Sequence, residues 1–288
     1  MIVTGMDPAK TTGAAALIER SNLMTRVASS LVLAPLTVAV AYWGGAALAA
    51  FWTVVAFCVL WEWDTLVCAH EKKPVLTIGS VAIAGAAALL TLGRVGAALA
   101  LIVLGALGVA ALASRVERLW CVGGVLYAGG MVSALLLLRS DAALGFAALV
   151  FLFAVVWLTD IVAYFCGRAL GGPKLMPYVS PNKTWSGAIG GAAGGIFGGV
   201  AVALYAGIDN AVAMAVLALF LSAAAQAGDL LESAIKRRFD VKDASGLIPG
   251  HGGVMDRVDG LVIAVIVAAL IGAIRGGLES PAHGLLVW

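Results

Sequence analysis

Residues 142–166 read AALGFAALVFLFAVVWLTDIVAYFC, an apolar run with a single charge, Asp160. Lipid offers no partners to backbone N–H and C=O groups, so a run of this kind crosses a membrane as a helix. Similar runs recur at 27–43, 46–61, 75–92, 95–112, 119–138, 186–206, 210–231 and 260–275. Of the 288 residues, 62% are apolar and 12% charged, with a mean hydropathy of +1.04. Soluble domains are about one quarter charged. The expected fold is all-α, a polytopic membrane protein of about nine transmembrane helices.

Charge sets the expected direction. With nine spans and a cytoplasmic N-terminus, fifteen of the eighteen Lys and Arg fall in inner segments, leaving Arg94, Arg139 and Arg275 outside. That bias follows the positive-inside rule and predicts a multi-pass cell (inner) membrane protein. Residues 1–25 read as a cytoplasmic segment without the apolar core of a signal peptide. Residues 26–140 read as a scaffold of five spans, and 141–288 as a four-span region with inner loops at 167–185 and 232–258. The net charge of +2 gives no reason to expect nucleic acid. Cys58, Cys68, Cys121 and Cys166 show no paired spacing and read as small buried residues, neither disulfides nor metal ligands. Glu62, between Trp61 and Trp63 at a span end, reads first as an interfacial carboxylate and second as functional.

Against this apolar background, residues 228–260 (GDLLESAIKRRFDVKDASGLIPGHGGVMDRVDG) hold six of the sixteen carboxylates. Asp229, Glu232, Ser233 and Lys236 recur at helical spacing on one face, as do Asp256 and Asp259 at the start of the last span. Between them Gly252 and Gly253 let backbone approach a ligand. Carboxylates, cations and a Gly-rich loop are the parts of a site for Mg²⁺ and phosphates. Asp229, Asp256 and Asp259 are the metal candidates, with salt bridging to Lys236, Arg237 or Arg257 as the competing reading. Lys236, Arg237, Lys242 and Arg257 are too many for membrane anchoring, which suffices for Arg238. His251 is a phosphate donor or proton carrier, or else a loop histidine bonded to backbone. A carboxylate within a span is costly, so Asp160 belongs to a polar cavity unless Arg168 or a Lys pairs with it. Ser180, Lys183 and Thr184 precede a helix start, which serves as an anion site or is merely capped by the hydroxyls.

Ser233-x-Ile235-Lys236-Arg237, Lys242-Asp243, Ser245, Ile248-Pro249, His251-Gly252-Gly253 and Asp256-Arg257-x-Asp259 together resemble the signature of the phosphatidate cytidylyltransferases, or CDP-diacylglycerol synthases. Residues 180–187, SPNKTWSG, resemble that family's second element, with Asn182 in place of a Lys and Ser186 where Glu is common. The resemblance covers mainly residues 160–260. It implies cytidylyl transfer from CTP to phosphatidate, giving CDP-diacylglycerol and pyrophosphate, with Mg²⁺ and a second, monovalent cation such as K⁺, in a homodimer. By the same resemblance Asp229 and Asp259 bind metal, and Ser180, Lys183 and Thr184 bind nucleotide or phosphate. The catalytic set expected is Asp229, Lys236, His251, Asp256 and Asp259. Substrate contacts are expected from Asp160, Ser180, Lys183, Thr184, Ser233, Arg237, Lys242, Gly252, Gly253 and Arg257. Transfer onto another lipid phosphate, such as an archaeal ether lipid, is an alternative. A transporter fits poorly, because the charged motifs gather at span ends and not near the midplane of repeated halves.

Overall fold

A computed structural model describes residues 31–68, 72–247 and 252–288. The helices are α1 (Leu31–Trp43), α2 (Gly45–Val67), α3 (Lys72–Thr91), α4 (Val95–Leu112), α5 (Arg118–Arg139), α6 (Gly145–Leu170), α7 (Trp185–Tyr205), α8 (Ala211–Arg238), α9 (Met255–Gly276) and α10 (Pro281–Leu286). Among the described residues, α2 to α9 are eight helices long and apolar enough to cross a membrane, and α1 is a shorter apolar helix. The all-α, multi-span expectation therefore holds, with α1 as the described part of the ninth run. The 1–25 segment and His251 lie outside the described residues.

One element departs from all-α. Residues expected as a loop between α6 and α7 form a hairpin, β1 (Lys174–Met176) paired antiparallel with β2 (Ser180–Thr184) in the register Lys174↔Thr184 and Met176↔Ser180. Trp185 N donates to Pro173 O at 3.0 Å and closes it against the start of α7.

The core is centred on α5, 78% of whose most apolar window is buried, against 50% or less in every other span. It packs on α2, α3 and α4 on one side and on α6 and α9 on the other, so the scaffold spans and the later ones share one core. At α5's C-terminal end Arg139 Nε donates to Ala41 O at 2.6 Å and Nη2 to Tyr42 O at 2.9 Å, taking up carbonyls at the end of α1. At α9's C-terminal end Arg275 donates to Gly284 O and Val287 O and lies 3.6 Å over the Trp288 ring, pinning the chain end.

The glycine stripe of α7 lies against α6. A Cβ on Gly191 would fall 2.7 Å from Thr159 O, one on Gly194 2.9 Å from Leu158 O, and one on Gly187 2.9 Å from Ala163 O. Small residues there let two backbones touch. The stripe is a packing surface, and its partner is within the chain.

The cysteine reading needs correction. Cys68 and Cys121 form a disulfide between the end of α2 and the start of α5, with Cα atoms 6.4 Å apart, while Cys58 and Cys166 are free. Both bonded residues are buried, as expected. Their separation of 53 positions matches no spacing motif, so only the packing of α2 on α5 brings them together.

Candidate active site

Helices α8 and α9 cross where Gly228 meets Gly260. A Cβ on Gly228 would lie 2.6 Å from Asp259 O, and one on Gly260 3.2 Å from Ala225 O. The residues adjoining these glycines are Asp229 and Asp259, so this close approach of the two backbones brings two carboxylates near each other. They act on each other electrostatically, and both act on Asp160 of α6. Asp160 makes no hydrogen bond among the described residues and lines a cavity. Arg168 donates instead to Tyr164 Oη at 2.9 Å, so it is not the structural partner of Asp160.

The cavity holds about 580 Å³. Its walls include Asp160, Tyr164 and Arg168 from α6, Asn182 and Lys183 from β2, Thr184 and Gly187 at the α7 start, and Gln226 and Asp229 from α8. Lys183 Nζ pairs with Asp229 Oδ2, joining the two sequence motifs across the cavity. Thr184 is buried, and its Oγ1 accepts from Gly187 N at 3.1 Å. That oxygen is therefore engaged as the helix cap. Ser180 pairs with Met176 in the hairpin and is not among the wall residues. Gln226 and Tyr164 were missed as wall residues. Their signal was positional: Gln226 precedes Asp229 by three and Tyr164 follows Asp160 by four, each on the same helix face.

A second polar cluster lies deeper. Lys236 Nζ sits 2.9 Å from Glu232 Oε2 and 2.7 Å from Asp256 Oδ1. Asp256 Oδ2 also accepts from Gly253 N at 2.7 Å and Ala244 N at 3.2 Å. Asp256 and Lys236 thus hold the returning loop in place, and the competing salt-bridge reading describes this pair. Among the described residues, no three His, Cys, Asp or Glu side chains converge closely enough to hold a metal ion, so the expected single cluster of Asp229, Asp256 and Asp259 does not form. The reason is local: Lys236 and two backbone amides take up the Asp256 carboxylate. Ser233 Oγ donates to Asp229 Oδ1 at 3.4 Å, and Arg237 Nη1 to Val241 O at 3.2 Å. Lys242 and Arg257 are exposed.

The two glycines after His251 serve neighbouring carboxylates. Gly252 has φ 81°, and a Cβ there would lie 2.7 Å from Asp256 Oδ2; one on Gly253 would lie 2.7 Å from Glu62 Oε1. Glu62 is fully buried. It accepts from Ser245 Oγ at 2.5 Å, Val254 N at 2.9 Å and Met255 N at 2.6 Å. Partners 183 or more positions away leave no local trace in sequence.

The model of the cytidylyltransferase family matches residues 24–274, which include the cavity and the α8–α9 crossing. Phosphatidate cytidylyltransferases of Brucella suis and Brucella melitensis are each 44% identical over 269 residues, covering 91% of this chain and 97% of theirs. That of Bacillus subtilis is 43% identical over 112 residues, 38% of this chain and 42% of its own. With a family match over most of its length and relatives this similar end to end, the chain belongs to the cytidylyltransferase family.

Proposed function

We propose that the protein transfers the cytidylyl group of CTP to phosphatidate, giving CDP-diacylglycerol and pyrophosphate. The observation that carries this is the cavity beside the α8–α9 crossing, with the charged Lys183, Asp229 and Asp160 on its wall, inside a bundle of membrane spans. The attacking group is a phosphate-monoester oxygen. Its second pKa is near 6, so it is anionic at neutral pH and needs no strong general base. It attacks the α-phosphorus of CTP, the bond to the bridging oxygen breaks, and pyrophosphate leaves. The obstacle is bringing two polyanions together. Lys183, on the cavity wall, and Arg168, beside Tyr164, offer positive charge to the phosphates.

Asp229 and Asp259 fit a hard cation. They are oxygen donors held together by packed backbone, and Mg²⁺ takes one or two carboxylates, the rest being phosphates and water. Asp256 does not fit, because a buried Lys236 and two backbone amides hold its oxygens, whereas those of Asp229 meet only the part-exposed Lys183 and, at 3.4 Å, Ser233. Bound there, Mg²⁺ would neutralise phosphate charge and stabilise the leaving pyrophosphate. A monovalent cation such as K⁺ suits the same oxygen donors. The reading places the cavity on the cytoplasmic face of the inner membrane, where CTP is, with the protein as a homodimer.

Purified protein in detergent, given phosphatidate, CTP and Mg²⁺, is expected to release CDP-diacylglycerol and pyrophosphate in equal amounts, and EDTA to stop both. Asp229→Asn and Asp259→Asn are expected to fold and to lose turnover. Wild-type rates in both variants would refute the assignment.

A further inference from the structure

We infer that Glu62 is a positioning residue for the reaction: a buried anchor on α2 that sets the first turn of α9 and, through it, the carboxylate of Asp259. The inference rests on the cytidylyl-transfer reading above.

The first N–H groups of a helix have no partner within it. At α9 the residue in the capping position is Val254, which has no side-chain acceptor. The carboxylate of Glu62 fills the vacancy from another helix, taking Val254 N on Oε1 and Met255 N on Oε2. Oε1 also takes the Ser245 hydroxyl, so one side chain ties the middle of the loop that joins α8 to α9 to its α9 end. Charge strengthens each bond, and a carboxylate suits a helix N-terminus. Donors arriving from two segments fix the rotation of α9 as well as its axial place. Asp259 lies four residues beyond Met255, about one turn, so rotation at Met255 is rotation at Asp259. The Gly228–Gly260 contact sets how close α8 and α9 come; Glu62 sets which way the α9 carboxylate faces.

Glutamine at this position keeps the volume but offers one acceptor and an NH₂ to three donors. Gly253→Ala disturbs the same anchor without touching Glu62, since its Cβ would lie 2.7 Å from Oε1. Ser245→Ala removes one bond of three.

Full-length wild type, E62Q, G253A and S245A are compared in detergent with CTP, phosphatidate and Mg²⁺. Backbone amide exchange is followed by mass spectrometry. E62Q and G253A are expected to lower kcat about tenfold or more, the loss of one charge-assisted hydrogen bond to the reacting geometry. Substrate KM values stay within about threefold, exchange quickens in 252–260 but not in α3 and α4, and S245A falls between wild type and E62Q. Wild-type kcat in folded E62Q and G253A would overturn the inference. So would a kcat loss that only follows the folded fraction, with exchange raised throughout the bundle. Should E62Q not fold, G253A and S245A decide. If wild type itself transfers nothing, the functional reading has failed, and the exchange pattern alone still tells whether Glu62 holds the start of α9.

Discussion

Gly228→Ala is the sharpest test of how the carboxylates are placed. The added Cβ would stand 2.6 Å from the Asp259 carbonyl oxygen and 3.1 Å from Ile263 Cγ1. The first of these is backbone, which has no rotamer to escape into. Restoring ordinary contact at roughly 3.4 Å requires α8 and α9 to part by about 0.8 Å. Overpacking of this kind costs about 1–3 kcal/mol of stability. Its effect on the reaction is larger, because Asp229 and Asp259 flank the contact, and a displacement of about 1 Å in a reacting array costs on the order of 100-fold. The expected result is a folded protein with kcat lower by about 10- to 100-fold, measured as CDP-lipid and pyrophosphate release in detergent micelles. Gly85→Ala is the control. Its Cβ meets Leu101 Cδ2 at the same 2.6 Å, but that atom ends a flexible side chain, between α3 and α4 and outside the cavity wall. Normal turnover in folded Gly228→Ala would show that the crossing does not place the carboxylates, and the argument from adjacent glycines would fail.

Three further outcomes are expected. Lys236→Met leaves Glu232, 1% exposed, and Asp256 buried without their cation; removing one partner of a buried pair costs about 3–5 kcal/mol, so thermal unfolding should show a large drop in stability before any kinetic effect is read. Lys183→Met removes a pair whose side chains are 26% and 31% exposed; stability should change by less than about 1 kcal/mol, while KM for CTP rises in initial-rate assays at fixed phosphatidate. Gly191→Leu drives a side chain into Thr159 O, only 2.7 Å from its Cβ, and should lower the melting temperature by separating α6 from α7.

The spans were legible because each apolar run meets the bilayer on its own terms, whatever its neighbours do. Their ends were less so. α6 continues to Leu170 and α8 to Arg238, past the apolar runs read as ending at 166 and 231. Those extra turns carry Arg168 of the cavity wall and the Glu232–Lys236 pair of the deeper cluster, and a hydropathy reading stops where they begin. Asp229 and Asp259 were legible as a pair of helix-borne carboxylates. The separation of Asp256 from them was not, since its spacing puts it on the face of Asp259, and Lys236 from α8, with the Ala244 and Gly253 amides, draws it away. Glu62 and the Cys68–Cys121 bond were hidden for the same reason: each depends on which helices become neighbours, a property of the whole bundle.

Solvent access then separates two kinds of charge in the site. Lys236, Glu232 and Asp256 are 12%, 1% and 9% exposed, so they cannot exchange partners without stranding a charge away from water. They fix the loop and stay fixed. Lys183 and Asp229 are each more than a quarter exposed, and a pair so wetted holds together weakly. An arriving phosphate can take Lys183 while water or a cation takes Asp229, at little cost to the fold. A site for two polyanions needs both properties: a frame that does not answer to charge, and a face whose charges are readily given up. The division runs along α8, where Asp229 and Lys236 lie two turns apart on one helix face but belong to opposite classes, because one opens to the cavity and the other is closed in by α9.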